Sequence, residues 1–383
     1  MFNFYFVLLT AIILTVVSIF YSFHYSFYNQ PSIENVSLAG IDSILSCLVF
    51  FIVIFRNKTA GSLSEIIGMV EVNYQSFVEQ AKLLIFSLCI YSLYLAYKSF
   101  SLIMLGAVRQ ELIGEYNTMG FGYLFVSSFF KILFPFALLF KSNIYSRVFI
   151  FVGFFSTMLI TGSRSELTYA GYLLLTLAAF SSDKRIFIKL FFTMVAFLLF
   201  GLFITVFAQN RPVGDGVLGL ISVFDKHFFY RAYSIHLSEI SIAASNSFEK
   251  IFYPLFGYPA EWVMTKIWNI DTPIGSEYIS KYHSLGLDPL FGREYIANVV
   301  YPWWSWFVGA YGVIGLVIKA FYCYILLTSI KALKLPLTFI YISCYVLFIG
   351  QAGTLLMTLN SVIVFFFAVI IDLLGKHKVK FSV

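Results

Sequence analysis

Hydrophobic positions in this chain come in long, nearly unbroken blocks, not in the alternation of a half-buried strand or the single apolar stripe of a surface helix. A membrane-crossing helix needs about 20 mostly apolar residues, fewer when it is tilted or flanked by snorkelling side chains. The pattern predicts ten such segments, at roughly 2–28, 38–55, 83–98, 119–140, 147–161, 167–181, 187–208, 303–328, 335–351 and 358–374. The third, fifth, sixth and ninth are short, which predicts tilted or broken helices. The first lacks a basic leader and its apolar run is too long for a cleaved signal peptide, so it reads as a retained anchor.

Composition agrees: 60% of residues are hydrophobic, 20% aromatic and 11% charged, and the mean hydropathy is +0.88, which excludes a soluble globular domain. The reading is an all-α polytopic membrane protein in three parts. Residues 1–208 carry helices one to seven, 209–302 form one large loop, and 303–383 carry helices eight to ten and a basic tail. The net charge of +6 does not point to nucleic acid, because most Lys and Arg sit in short gaps between apolar runs, where orientation in the bilayer explains them. Cys47, Cys89, Cys323 and Cys344 lie inside apolar runs without disulfide or zinc-ligand spacing and read as packing residues.

The basic residues in the short gaps set the orientation. Arg56, Lys58 and Lys82 follow segment two; Lys141 and Arg147 follow four; Lys184, Arg185 and Lys189 follow six; Lys331 and Lys334 follow eight; Lys376, Lys378 and Lys380 follow ten. All are even-numbered exits, so both termini fall in the cytoplasm. The far-side connections are then 29–37, 99–118, 162–166, 209–302 and 352–357. Five far-side arginines oppose that rule: Arg109, Arg164, Arg211, Arg231 and Arg293. Arg164 stands in a tight turn inside "ITGSRSELTY", and Arg211 directly follows the apolar run ending "FITVFAQNRP". A guanidinium is a planar, permanently charged fork suited to phosphate, and several near one interface suggest an anionic ligand at headgroup depth. The competing reading is that each snorkels to lipid phosphate or pairs with a neighbour such as Glu166 or Glu111.

The 209–302 loop interleaves aromatic, basic and acidic residues, so it is expected to fold. Its first half, from Val217, has helical spacing after the breaker "PVGDG". There His227, Arg231 and Ser238 share a face, and His236 and Glu239 stand three residues apart, a spacing at which the carboxylate orients the imidazole as a proton acceptor. The second half, rich in Gly, Pro and Asp, reads as irregular cover. At the re-entry, Trp303, Trp304 and Trp306 fit an interfacial belt. Gly309, Gly312 and Gly315 recur every three residues as a smooth strip for close helix packing or for a lipid chain. There is no phosphate-binding loop, dinucleotide fingerprint, nucleophile elbow, zinc-protease motif or evident internal repeat.

"TGSRSE" at a tight far-side turn, "QNRP" opening one large loop and "YPWWSWFVGAYGVIGLV" closing it, on ten helices with both ends in the cytoplasm, resemble the Wzy-type oligosaccharide repeat-unit polymerases across nearly the whole chain. "GSRS" is the most specific of these motifs. The resemblance implies a GT-C-like glycosyltransferase in the bacterial inner membrane, with a large periplasmic loop. It would join undecaprenyl-pyrophosphate-linked repeat units into O-antigen-type polysaccharide and release undecaprenyl pyrophosphate. It also implies a flippase and a chain-length regulator as pathway partners. The family's spacing of arginine, ten residues, then glycine is met by Arg109 and Gly120. The related ligases carry a histidine late in the loop, where this chain has Asn298 and Tyr301, the nearest histidine being His283. A flippase or other transporter of lipid-linked sugars is the alternative class; its loops are expected to be shorter than 209–302.

Cleaving a sugar–pyrophosphate bond requires charge stabilisation on the departing oxygens, which arginines supply without metal or cofactor. Arg164 and Arg211 are the first candidates, then Arg231 and Arg109, with Arg293 completing the set. For the base, His236 is first, with Glu239 orienting it and Glu166 and Asp225 as rivals.

Overall fold

The computed structural model describes residues 2–24, 31–55, 61–106, 121–181, 183, 185–208, 217–246, 250–267, 283–287, 294–297, 301–351, 353, 355–356 and 358–379. The helices in the first half are α1 (Phe2–His24), α2 (Ile33–Phe55), α3 (Gly61–Gln80), α4 (Lys82–Met104), α5 (Phe121–Leu139), α6 (Ile144–Thr161), α7 (Ser165–Phe180) and α8 (Ile186–Phe203), the last continued by a π turn. The loop contributes α9 (Val217–Ser245), α10 (Tyr253–Phe256) and α11 (Tyr258–Ile267). An antiparallel pair follows, β1 (His283–Leu287) and β2 (Glu294–Ala297), with His283 opposite Ala297. Then come α12 (Trp303–Tyr311), α13 (Gly315–Ala332), α14 (Pro336–Leu347) and α15 (Leu359–Val379).

Among the described residues, seven helices are long and apolar enough to cross a membrane: α1, α2, α4, α5, α8 with its π turn, α13 and most of α15. Ile144–Ile160 and Pro336–Gln351 are apolar but shorter. Large apolar side chains recur every three to four residues on outward faces and stay exposed, as do Leu9, Ile13, Val16 and Phe20 on α1 or Val317, Phe321 and Ile325 on α13. Water would not tolerate such stripes and lipid would. This is a polytopic, predominantly helical membrane protein.

Four expectations need correction. The eighth segment, 303–328, is two helices, because Gly312 takes a left-handed φ of 67° and breaks the run. The glycines therefore form no continuous strip. A Cβ on Gly309 would meet the Ile242 carbonyl at 2.5 Å, so this glycine lets α12 lie against α9, whereas Gly312 serves the turn. Trp303, Trp304 and Trp306 are fully buried instead of forming an interfacial belt, and Trp303 donates from its indole to the Pro254 carbonyl at 2.9 Å. Among its described residues, the second half of the loop contains the short helices α10 and α11 and the β1–β2 pair, where irregular cover was expected.

One helix was not expected. In α3, Leu63, Ile66, Val70, Tyr74 and Phe77 are buried at helical spacing, while Glu65, Glu71 and Glu79 keep its hydropathy below that of a crossing segment. It packs chiefly on α15.

Connections of like parity meet. At one end, Asn3 donates to the Ser181 carbonyl at 2.6 Å, Lys331 to the Val53 carbonyl at 3.0 Å and Lys376 to the Leu333 carbonyl. At the other, the Ser32 amide donates to Glu239, the Tyr258 amide to the Leu356 carbonyl and Ser234 to the Gln351 carbonyl. Between them α9 lies against α1 and α12, α2 against α13, and α4 against α6. The four cysteines are free and buried, as packing residues would be.

Candidate functional site

Two polar clusters lie in the half of the bundle beneath α9, joined by successive turns of α7. The outer one is built on "GSRS". Gly162, with φ of 54°, caps α6, and Ser163 Oγ accepts from the Ser165 amide at 3.3 Å to open α7. Arg164 sits between them, half-buried, at the position that starts the helix. Glu166, in the first turn, faces Lys131 of α5, whose Nζ is 2.9 Å from Oε2 and lies 4.6 Å from the centre of the Tyr169 ring. Glu166, expected either to pair with a neighbouring arginine or to rival His236 as the base, is here the counter-ion of a lysine on another helix.

The inner cluster centres on Arg231, one of the most buried charges in the chain at 4% exposure. Its Nη1 donates to the Tyr172 hydroxyl at 2.9 Å and to the Phe348 carbonyl at 3.0 Å, and its Nε donates to Ser18 Oγ at 3.3 Å. That carbonyl is available because α14 stops at Leu347 and a short 3-10 turn, Ile349–Gln351, follows. A cavity of about 10 Å³ adjoins the guanidinium, lined by Thr15, Ser18, Arg231, Ile235 and Gln351. Across it, the Gln351 carboxamide donates to Asp42 Oδ2 at 2.8 Å, and Asp42 is held by Lys319 at 2.6 and 2.7 Å. Lys319 also reaches Ser46 and lies 5.3 Å from the Trp303 ring centre.

Among the described residues the two clusters hold four cations, Arg164, Lys131, Arg231 and Lys319, and two carboxylates, Glu166 and Asp42. Such a sunken positive excess attracts an anion and stabilises negative charge that develops nearby. The inner cavity admits about one water-sized sphere, so it does not take a pyrophosphate or a sugar as it stands.

The candidate bases are placed apart. His236 is half-buried, hydrogen-bonded to the backbone of Ser22, and burial lowers its pKa to about 4, so it is neutral and only weakly basic near pH 7. Glu239 is exposed and its Oε1 accepts from the Ser32 amide at 3.4 Å and from Asn35 Nδ2 at 3.3 Å. It anchors the start of α2, and its negative charge also favours the protonated form of His236. Ser238 is buried and donates to the Ile235 carbonyl. Arg109, Arg211 and Arg293, with Glu111, Gly120 and Asn298, lie outside the described residues, as do the side chains of Asp225 and His227.

Sequence reasoning missed Asp42, Lys131, Lys319 and Gln351. The signal was present: three of the four are ionisable residues inside apolar segments two, four and eight, where charge is retained only for a reason. No group of three or more metal-ligating side chains occurs among the described residues. Comparison of the chain with protein-family models, curated proteins and solved structures gave no match in any of the three.

Proposed function

We propose that this chain is a Wzy-type polymerase, a GT-C-like glycosyltransferase of the bacterial inner membrane. In this reading α1, α2, α4, α5, α6, α7, α8, α13, α14 and α15 make ten crossings, both termini are cytoplasmic, and α9 to α12 cover the periplasmic end. The observation that carries the reading is the excess of buried cations beneath that cover, rimmed by the arginine of "GSRS". A lipid-linked donor would bring its pyrophosphate to Arg164 at headgroup depth, with Arg211 as second ligand. The acceptor hydroxyl attacks the anomeric carbon, the carbon–oxygen bond to pyrophosphate breaks, and the hydroxyl proton passes to a base. Glu166 and Glu239 are engaged by Lys131 and by Ser32 and Asn35, which leaves His236 and Asp225 as acceptors. Arg231 and Lys319 act at longer range, favouring the departing negative charge through their field.

A flippase for the same lipid-linked sugars is the second reading, favoured by the Asp42–Lys319 pair, since membrane-embedded ion pairs also mark transport pathways. The test is reconstitution with synthetic lipid-linked repeat units. The polymerase reading expects a ladder of lengthened glycans, and Arg164→Lys, which keeps the charge but loses the fork, lowers its rate by at least about tenfold with the fold intact. Lipid translocation without any ladder moves the assignment to transport, and an unimpaired Arg164→Lys variant removes that arginine from the site.

A further inference from the structure

We propose that the cavity walled by Thr15, Ser18, Arg231, Ile235 and Gln351 is a binding site for one compact monovalent anion of the halide class, held by the Arg231 guanidinium and the Gln351 carboxamide. The argument begins with charge. Among the described residues Arg231 makes no ion pair; its partners are a phenol, a serine hydroxyl and a backbone carbonyl, all neutral. The nearest carboxylate in the network, Asp42, is reached only through Gln351 and is already matched by Lys319 in a pair whose side chains are each 2% exposed. The inner cluster thus has two cations and one anion. A buried charge without a counter-ion carries a desolvation penalty of several kcal/mol, which a bound anion offsets.

The lining identifies the ligand further. Ser18 accepts from Arg231 and donates to the Leu14 carbonyl, and Thr15 faces the Ala11 carbonyl and Ser43, so neither hydroxyl is committed to the cavity as a donor. The donors are the guanidinium, whose hydrogen bonds given above use only Nε and Nη1, and the carboxamide proton of Gln351 not directed to Asp42. Ile235 supplies an apolar wall. Two N–H donors, a full positive charge and a hydrocarbon wall suit a small, weakly hydrated anion. A cavity of about 10 Å³ suits one compact ion better than phosphate or a carboxylate. This site does not depend on the polymerase reading, because the ligand is not part of the donor lipid.

The test is thermal unfolding of the purified protein in detergent, at fixed ionic strength and cation, with chloride or bromide replaced stepwise by gluconate. The site predicts a saturable rise in the unfolding midpoint of a few degrees with either halide. Gln351→Ala leaves the charges in place and weakens the apparent halide affinity about tenfold, the loss of one hydrogen bond to a charged partner. Arg231→Gln abolishes the halide-specific shift; if that variant does not fold, the Gln351→Ala titration still decides. Equal midpoints in halide and gluconate overturn the proposal and make the cavity a water site. A shift that is identical in wild type and Gln351→Ala, or one produced by inorganic pyrophosphate and not by halide, overturns it too.

Discussion

Asp42 and Lys319 meet between two apolar helices, at 2.6 Å, with both side chains only 2% exposed. Removing one partner leaves the other charged and buried, so Asp42→Asn or Lys319→Met is expected to destabilise by about 3–5 kcal/mol. The double variant removes both charges and is expected to cost less than either alone; thermal unfolding of the three proteins checks the order. Additive losses would mean that the pair is not coupled. Glu166 shows the same physics at the rim. A carboxylate at the start of α7 has the favourable end of the helix dipole, and the Lys131 ammonium 2.9 Å away completes its environment. The residue pattern revealed the polar break and its chemistry. It did not reveal which cation answers Glu166, because Arg164 is two residues away in sequence while Lys131 arrives on another helix.

At the scale of the element, α14 depends on partners at both of its ends. It is short, begins at Pro336, and has no side chain of its own at its first position to satisfy its amides. Asp372 of α15 does this from across the interface, accepting from the Leu337 amide at 3.1 Å and the Thr338 amide and hydroxyl at 2.8 and 2.9 Å, while Asn73 of α3 donates to it at 2.9 Å. The opposite end of α14 delivers the Phe348 carbonyl to Arg231. Asp372→Ala is therefore expected to cost about 2–4 kcal/mol, a lost cap plus buried donors left unmade. Hydrogen exchange should show the first turn of α14 opening, with Asp372→Asn milder because one acceptor oxygen remains. Unchanged protection at Leu337 and Thr338 would contradict the cap. Most of the elements were legible in sequence: the apolar runs, the long helix from Val217 and the turn at Gly162 all lie within a few residues of their expected positions. The misses have physical reasons. The α3 stripe was hidden by its glutamates, and the α12–α13 break depends on one backbone angle at Gly312 that hydropathy does not register.

Over the whole molecule, helix ends that the basic-residue pattern assigns to one side make contacts with one another. Asn3, Lys331 and Lys376 gather at one end, and the Ser32, Gln351 and Leu356 contacts with the loop helices gather at the other. The orientation is expected to follow the charge rule. Single cysteines placed at Lys334 and Trp262 in a cysteine-free background should be labelled by an impermeant maleimide from opposite sides of the membrane, Trp262 from the periplasm. Labelling of both from one side would refute the orientation. The sequence by itself determined that the chain is a membrane protein and where most of its apolar runs lie, since each depends on residues close together in the chain. Only the tertiary structure decided the partners: Asp42 with Lys319 across 277 residues, Asn73 with Asp372 across 299, and Arg231 with the broken end of α14 across 117. A buried charge or hydrogen-bonding group takes whichever partner packing brings within about 3 Å, and local pattern carries no record of that distance.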